Sequence, residues 1–218
     1  PDPAAAAGEL GHDGLDVLEG FVDAAVGVAL IDEQTLEVVG ELEVEFVGLG
    51  EAELAVIQST SPVILEHGEN LTAAVYDHFL KFDDSRRFFL GEDGDVDEPK
   101  LERRKHSLLR WLRGSLDFKL DMDYPIRVLA TGIVHSHPPS HRAHLGSIPS
   151  RYMIATISFM QTALSDIFHQ EIEDPAEANQ ASVAWSKLLM VQLDILLAGY
   201  MNDTPTEVEN LAGQEAAS

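Results

Sequence analysis

The chain has 218 residues, of which 45% are hydrophobic, and a formal net charge of −24 from 38 acidic and 14 basic residues. This apolar content is enough for a compact core, which excludes an intrinsically disordered chain. Cysteine is absent, so disulfides, thiolate metal sites and cysteine nucleophiles are excluded. The acidic charge argues against a nucleic-acid partner, because a polyanion would be repelled.

The acidic surface favours a halophilic source, where salt screens the mutual repulsion of like charges. The alternative is an ordinary acidic cytosolic protein. No stretch approaches the roughly 20 uncharged apolar residues of a membrane span. The N-terminus also lacks the basic region of a signal peptide. A cytoplasmic protein without a membrane segment is therefore expected.

Three regions are predicted along the chain. Residues 1–45 are expected to be an N-terminal extension of uncertain structure, residues 46–202 the main domain and residues 203–218 a flexible acidic tail. Within residues 14–46, an apolar run and a later alternation of period two leave two alternatives open. One is a short helix followed by a hairpin, and the other is a helix packed on the main domain.

The first half of the main domain is predicted to hold two helices. Apolar residues at helical spacing predict Glu51–Glu66, with Gly68 as its C-terminal stop. Asn70 is a good N-cap for a second helix, Leu71–Phe82. The acidic run Gly91–Asp97 is interpreted as a plain turn, because it lacks the glutamate that a calcium-binding loop needs at its twelfth position.

The second half of the domain is predicted to hold four more helices, so the fold class is all-α. Three of them have a proline in the first turn, where its missing N–H costs little. The last two are long and joined by a short turn, which predicts an antiparallel helical hairpin. The predicted helices run from just after Pro99 to about Leu116, from Pro125 to His135, from Pro149 to about His169 and from Pro175 to about Tyr200.

Four histidines lie within ten residues: His135, His137, His141 and His144. His135 ends an apolar helix, whereas the other three lie in a proline-broken loop and are expected to be exposed. Imidazole also suits zinc and nickel, so a second metal site in this loop stays open. As a separate alternative, His144 is the main rival of His135 for the metal-ligand role. Gly132 lies almost one turn before His135. It either lets a flat macrocycle approach the helix or lets two helices pack closely.

Tyr76 lies in an apolar helical stretch and has two interpretations. It is either a core residue whose hydroxyl bonds to a backbone group, or a hydrogen-bond donor to a ligand held opposite His135. The chain shows no combination of nucleophile and base and no phosphate-binding loop, so turnover of a metabolite is not predicted.

Five segments in order resemble the protoglobin and globin-coupled-sensor family: Val75–Phe89, Leu108–Leu112, Gly132–His135, Ile148–Met153 and Ala184–Leu189. The resemblance covers about residues 46–201. It implies a haem-binding globin fold of this type, preceded by an extra N-terminal segment. It also implies a homodimer formed through the last two long helices.

By position, the resemblance makes His135 the proximal iron ligand of haem b and Tyr76 the distal tyrosine, whose hydroxyl can hydrogen-bond O2. Six further positions match the family's haem pocket or lie beside it, and Gly132 is added from its place one turn before His135. These cofactor-binding residues are Phe89, Leu108, Trp111, Gly132, Tyr152, Thr156 and Met160.

The function predicted from the sequence is reversible binding of O2, CO or NO by a haem globin, as an oxygen carrier or a gas sensor. NO or peroxide side chemistry at the haem remains open. One alternative is a haem-free regulatory globin that acts through protein–protein contacts. Another is a metal-binding protein that uses the histidine-rich loop. The chain is expected to be either a stand-alone globin or a sensor module of a longer protein.

Overall fold

A computed structural model describes residues 46–91, 93–116, 123–138 and 146–201. In these ranges the regular structure is helical, apart from a single antiparallel bridge between Leu90 and Val96. The predicted all-α class is confirmed. The helices are α1 Glu51–Leu80, α2 Asp83–Arg86, α3 Glu98–Leu116, α4 Asp123–Ser136, α5 Ser150–Glu171 and α6 Pro175–Met201, with a 3-10 turn at Arg87–Phe89. The proposed extension, its two structural alternatives and the acidic tail lie outside the described residues.

The predicted break after Glu66 is wrong, because α1 runs unbroken from Glu51 to Leu80. Gly68 is buried inside this helix, where an added Cβ would lie 2.7 Å from Cδ1 of Leu109 on α3. The glycine therefore permits close packing of α1 and α3 and does not stop a helix. Asn70 is an exposed residue of the helix interior and caps nothing.

The remaining predicted helix boundaries are confirmed to within about two residues. The cap before α6 follows the sequence pattern: Asp174 Oδ1 accepts the Ala176 N–H at 2.9 Å, and Pro175 is the first helical residue. The acidic turn is also confirmed as a turn. It is closed by a 2.8 Å bond from the Gly91 N–H to the Asp95 carbonyl, and Gly94 takes a φ of +84° that favours glycine.

Helix α6 lies at the centre of the bundle, and it packs against α1, α4 and α5. Trp185 on α6 is fully buried beside Phe168 of α5, with ring centroids 6.2 Å apart. Its indole N–H donates to Thr60 Oγ1 of α1 at 2.8 Å, which satisfies the polar end of the buried ring. By length and composition this helix could cross a membrane, since its most apolar 18-residue stretch has a mean hydropathy of 1.4. However, 56% of that stretch is buried inside the bundle. It is read as the core helix of the fold.

Candidate functional site

His135 is half-buried in the last turn of α4, and its ring is hydrogen-bonded to the main chain of the same helix. Its Nδ1 lies 2.6 Å from the carbonyl oxygen of Thr131, one turn earlier in the same helix. A carbonyl oxygen only accepts hydrogen bonds, so Nδ1 must carry the hydrogen. In the neutral ring the lone pair then belongs to Nε2, and this is the form in which histidine binds a metal ion.

The main chain around His135 is tied to neighbouring elements. The His135 carbonyl accepts the N–H of Ile148 at 2.8 Å, which joins the end of α4 to the segment before α5. The hydroxyl of Ser136 donates to the carbonyl oxygen of Gly199 on α6 at 3.1 Å, or to Ile133 O at the same distance. The carbonyl of His135 and the side chain of Ser136 are thus tied to neighbouring elements.

Gly132 lies where α4 crosses α6, which bears on the two interpretations that the sequence left open for it. An added Cβ would lie 2.0 Å from the carbonyl oxygen of Leu196 and 3.2 Å from the Cα of Gly199. Of the two interpretations, close helix packing is the one that accounts for this glycine. Since its Cβ direction points at the α6 backbone, a macrocycle is not needed to explain it.

Tyr76 lies at the C-terminal end of α1 with its hydroxyl bonded to the main chain of α3. The hydroxyl donates to the carbonyl oxygen of Arg104 at 3.0 Å. Burial raises the pKa of Tyr76 to about 12, against a smaller lowering by the charge of Arg104, so the hydroxyl is neutral at physiological pH. The first interpretation, a hydroxyl bonded to a backbone group, describes this geometry. Because a hydroxyl has one hydrogen, donation to a ligand requires Tyr76 to leave Arg104.

Aromatic rings link the end of α1, the 3-10 turn and the start of α5. The ring of Phe89 meets Tyr76 edge to face, with centroids 5.6 Å apart, and Phe79 meets Tyr152 in the same way at 6.0 Å. Phe88 contacts Tyr152 at 6.1 Å. We call these five residues the aromatic cluster. Tyr76, Phe89 and Tyr152 were expected in the site, whereas Phe79 and Phe88 were missed, although Phe79 lies one turn after Tyr76 and on its face of the helix.

The other predicted pocket residues lie on α3 and α5. Leu108 and Trp111 are partly buried on α3 and pack against the core. Met160 is fully buried in the core itself. Thr156 donates its hydroxyl hydrogen to the Tyr152 carbonyl at 2.7 Å, so its polar group is satisfied within α5. These residues thus lie on α3 and α5, the helices that also carry Arg104 and Tyr152.

The histidine-rich loop falls largely outside the described residues, which include neither His141 nor His144. His137 is half-buried rather than exposed as expected, because its N–H bonds to the Ile133 carbonyl at 2.7 Å and its ring Nδ1 lies 2.9 Å from Ser136 Oγ. In the part of the chain that the structure describes, no three histidine or carboxylate side chains come together as a metal-binding group. A second metal site in this loop stays a prediction.

Comparison with known proteins agrees with this architecture. The protoglobin family model matches residues 41–205. The fold is similar to that of the globin domain of the Geobacter sulfurreducens globin-coupled sensor, with a TM-score of 0.58 and 17% sequence identity. That similarity covers 73% of this chain and 96% of the other. At this identity the likeness concerns the fold alone, and no curated protein sequence matches the chain.

Proposed function

Because the chain belongs to the protoglobin family, we propose that it is a haem b globin that reversibly binds a diatomic gas such as O2, CO or NO. The observation that carries the proposal is the hydrogen bond from His135 Nδ1 to the Thr131 carbonyl. It leaves the lone pair of a neutral imidazole on Nε2, the atom through which His135 would hold the iron of haem. We also propose that the protein acts in the cytoplasm, either as a gas sensor or as an oxygen carrier.

The donor chemistry of the residues present fits haem. The chain has no cysteine, so an axial ligand must come from histidine, tyrosine or methionine. His106 and His169 bond through Nδ1 to the carbonyl four residues earlier in the same way as His135, and the family-like position of His135 distinguishes it from them. When bound, haem supplies an iron atom with an open coordination position for a diatomic gas. Aromatic and aliphatic side chains such as Phe89, Leu108 and Trp111 suit a flat apolar group.

Tyr76 is proposed to stabilise O2 by rotating its hydroxyl from Arg104 towards the gas. Leaving the Arg104 carbonyl gives up a hydrogen bond worth about 1 kcal/mol, and bonding to a partly charged oxygen atom returns about 1.5–3 kcal/mol. The net stabilisation is therefore modest. The uncharged hydroxyl suits this role, since the raised pKa of Tyr76 keeps its proton in place at physiological pH.

An absorption spectrum tests the proposal directly. The whole chain is purified, reconstituted with haem, reduced and exposed to CO. We expect an intense Soret band that moves on reduction and again with CO. A chain that takes up no haem after reconstitution would instead be a haem-free regulatory globin. Tight binding of zinc or nickel with no haem uptake would favour the histidine-loop protein.

The proposed partner of the protein is a second copy of itself, bound through α5 and α6. Val183 and Met190 lie two turns apart on α6, and each is nearly half exposed. They border a shallow surface groove lined by Val47, Ser165, Ser182, Val183, Ser186, Lys187 and Met190.

We expect dimers of the wild type in sedimentation velocity, and monomers of the double variant Val183→Glu, Met190→Glu. Unchanged dimers in the variant, or a monomeric wild type, would count against this face. An exposed position on another helix, Glu69→Gln, is the control.

A further inference from the structure

We propose that Gly199 and Ser136 are positioning residues that set the place of His135 through the crossing of α4 and α6. The inference rests on the proposed function, since it concerns how His135 would meet an iron atom. It goes beyond that function because neither residue belongs to the predicted pocket, and Gly199 lies on a different helix, 64 positions after His135 along the chain.

The crossing brings two backbones together with no side chain between them. An added Cβ on Gly199 would lie 2.7 Å from both the Leu129 carbonyl oxygen and the Ile133 nitrogen, and 2.9 Å from the Gly132 carbonyl carbon. These neighbours are main-chain atoms of α4, which cannot rotate away as a flexible side chain can. A single methyl group at position 199 must therefore push the two helices apart.

The residues of the crossing lie beside His135 around the helix. At about 100° per residue, His135 is about 60° from Gly132 in one direction and Ser136 is about 40° from it in the other. A shift or rotation of α4 at the crossing therefore moves the backbone that carries the imidazole, less than one turn away. The Ser136 hydroxyl, 3.1 Å from the Gly199 carbonyl, adds a polar link at the same place.

Helix α6 is anchored by more neighbours than α4, since it packs against α1, α4 and α5. It is the central helix of the bundle, and its Trp185, Leu188 and Leu189 are almost completely buried. Helix α4, by contrast, packs mainly against α6. The crossing with α6, together with the bond from the Ile148 N–H to the His135 carbonyl, therefore positions the end of α4 that carries His135.

The test compares Gly199→Ala with Gly114→Ala in the haem-reconstituted whole chain. Gly114 is a helical glycine of α3 where an added Cβ meets nothing within 4 Å, so it controls for the helix propensity of alanine. The readout is the iron–histidine stretching band in the resonance Raman spectrum of the reduced protein. We expect Gly199→Ala to shift or abolish this band and Gly114→Ala to leave it in place. A folded Gly199→Ala protein with the wild-type band overturns the proposal.

Ser136 keeps the proposal testable if Gly199→Ala does not fold. Ser136→Ala removes the link to Gly199 without adding any atom, and it is expected to shift the same band by a smaller amount. Ser136→Thr retains a hydroxyl and is expected to restore the wild-type position. If Ser136→Ala leaves the band unmoved, the inference fails. If the wild type itself shows no iron–histidine band, the proposed function has failed instead.

Discussion

The hydroxyl of Tyr76 on α1 donates to the carbonyl oxygen of Arg104 on α3 at 3.0 Å. Through this bond the side chain proposed to serve the gas ligand also joins two helices of the bundle. The ring stays in edge contact with Phe79 and Phe89. Both roles need the single hydrogen atom of the hydroxyl. This competition determines the effect that is expected when the hydroxyl is removed.

Tyr76→Phe should speed the dissociation of O2 by about fivefold, because a net stabilisation of about 1 kcal/mol is lost. Stopped-flow displacement of O2 by CO measures this rate. Tyr200→Phe is the matched control, since it makes the same change in a tyrosine outside the aromatic cluster and the predicted pocket. An unchanged dissociation rate in Tyr76→Phe would mean that the hydroxyl remains on Arg104 throughout.

Stability should fall at high pH because of the same tyrosine. Burial raises the pKa of folded Tyr76 to about 12, above its ordinary value of 10.0. The unfolded chain therefore loses this proton first, and the free energy of unfolding decreases as the pH rises from about 10 to about 12. The loss amounts to at most about 2–3 kcal/mol.

Urea unfolding at pH 8, 10 and 11 checks this expectation in wild type and Tyr76→Phe. The variant should lose less stability between pH 10 and 11. Burial also raises the pKa of Tyr200 to about 12, so a part of the decline should persist in the variant. Parallel curves for the two proteins would show that Tyr76 titrates normally.

His135→Ala should abolish the iron–histidine band and weaken haem retention. The reason is that the imidazole whose Nδ1 bonds to Thr131 would be gone, and with it the proposed axial ligand. Resonance Raman spectra and haem transfer to apomyoglobin measure the two effects. His137→Ala removes the neighbouring histidine as a control. A wild-type band in His135→Ala would redirect the assignment to His144.

Met160→Ala should lower the free energy of unfolding by about 2–5 kcal/mol, because it removes a fully buried side chain from the core. Ile154→Ala is the control on the same helix, since Ile154 is 48% exposed and should cost much less. Chemical unfolding of the reconstituted proteins measures both. If Met160→Ala loses little free energy of unfolding but its Soret band changes, Met160 would belong to the ligand pocket and contribute little to the core.

The melting temperature should rise with salt. A net charge of −24 destabilises the folded chain through self-repulsion, and added ions screen it. Melting in dilute buffer and in concentrated KCl tests this, and a non-ionic osmolyte separates screening from general solute effects. A melting temperature that does not change with KCl would contradict the halophilic interpretation.

The sequence by itself determined most helix boundaries and the all-α class. Asp174 and Pro175 start α6 as expected, because a cap and a first-turn proline act through backbone groups only a few residues away. His135 was likewise placed correctly at the end of a helix by its apolar stripe. The order of the family-like segments also pointed to the fold, although it could not show any contact between them.

Only the tertiary structure decided what the glycines and the tyrosine do. A glycine in a helical pattern permits either a stop or a close approach, and the choice depends on what packs against it. Gly68 faces Leu109 of α3, and Gly132 faces the backbone of α6, so both lie inside helices. Tyr76 could bond to a ligand or to a carbonyl, and the packing of α3 on α1 brings the Arg104 carbonyl within reach. Such contacts join residues far apart in the chain, which local sequence patterns do not encode.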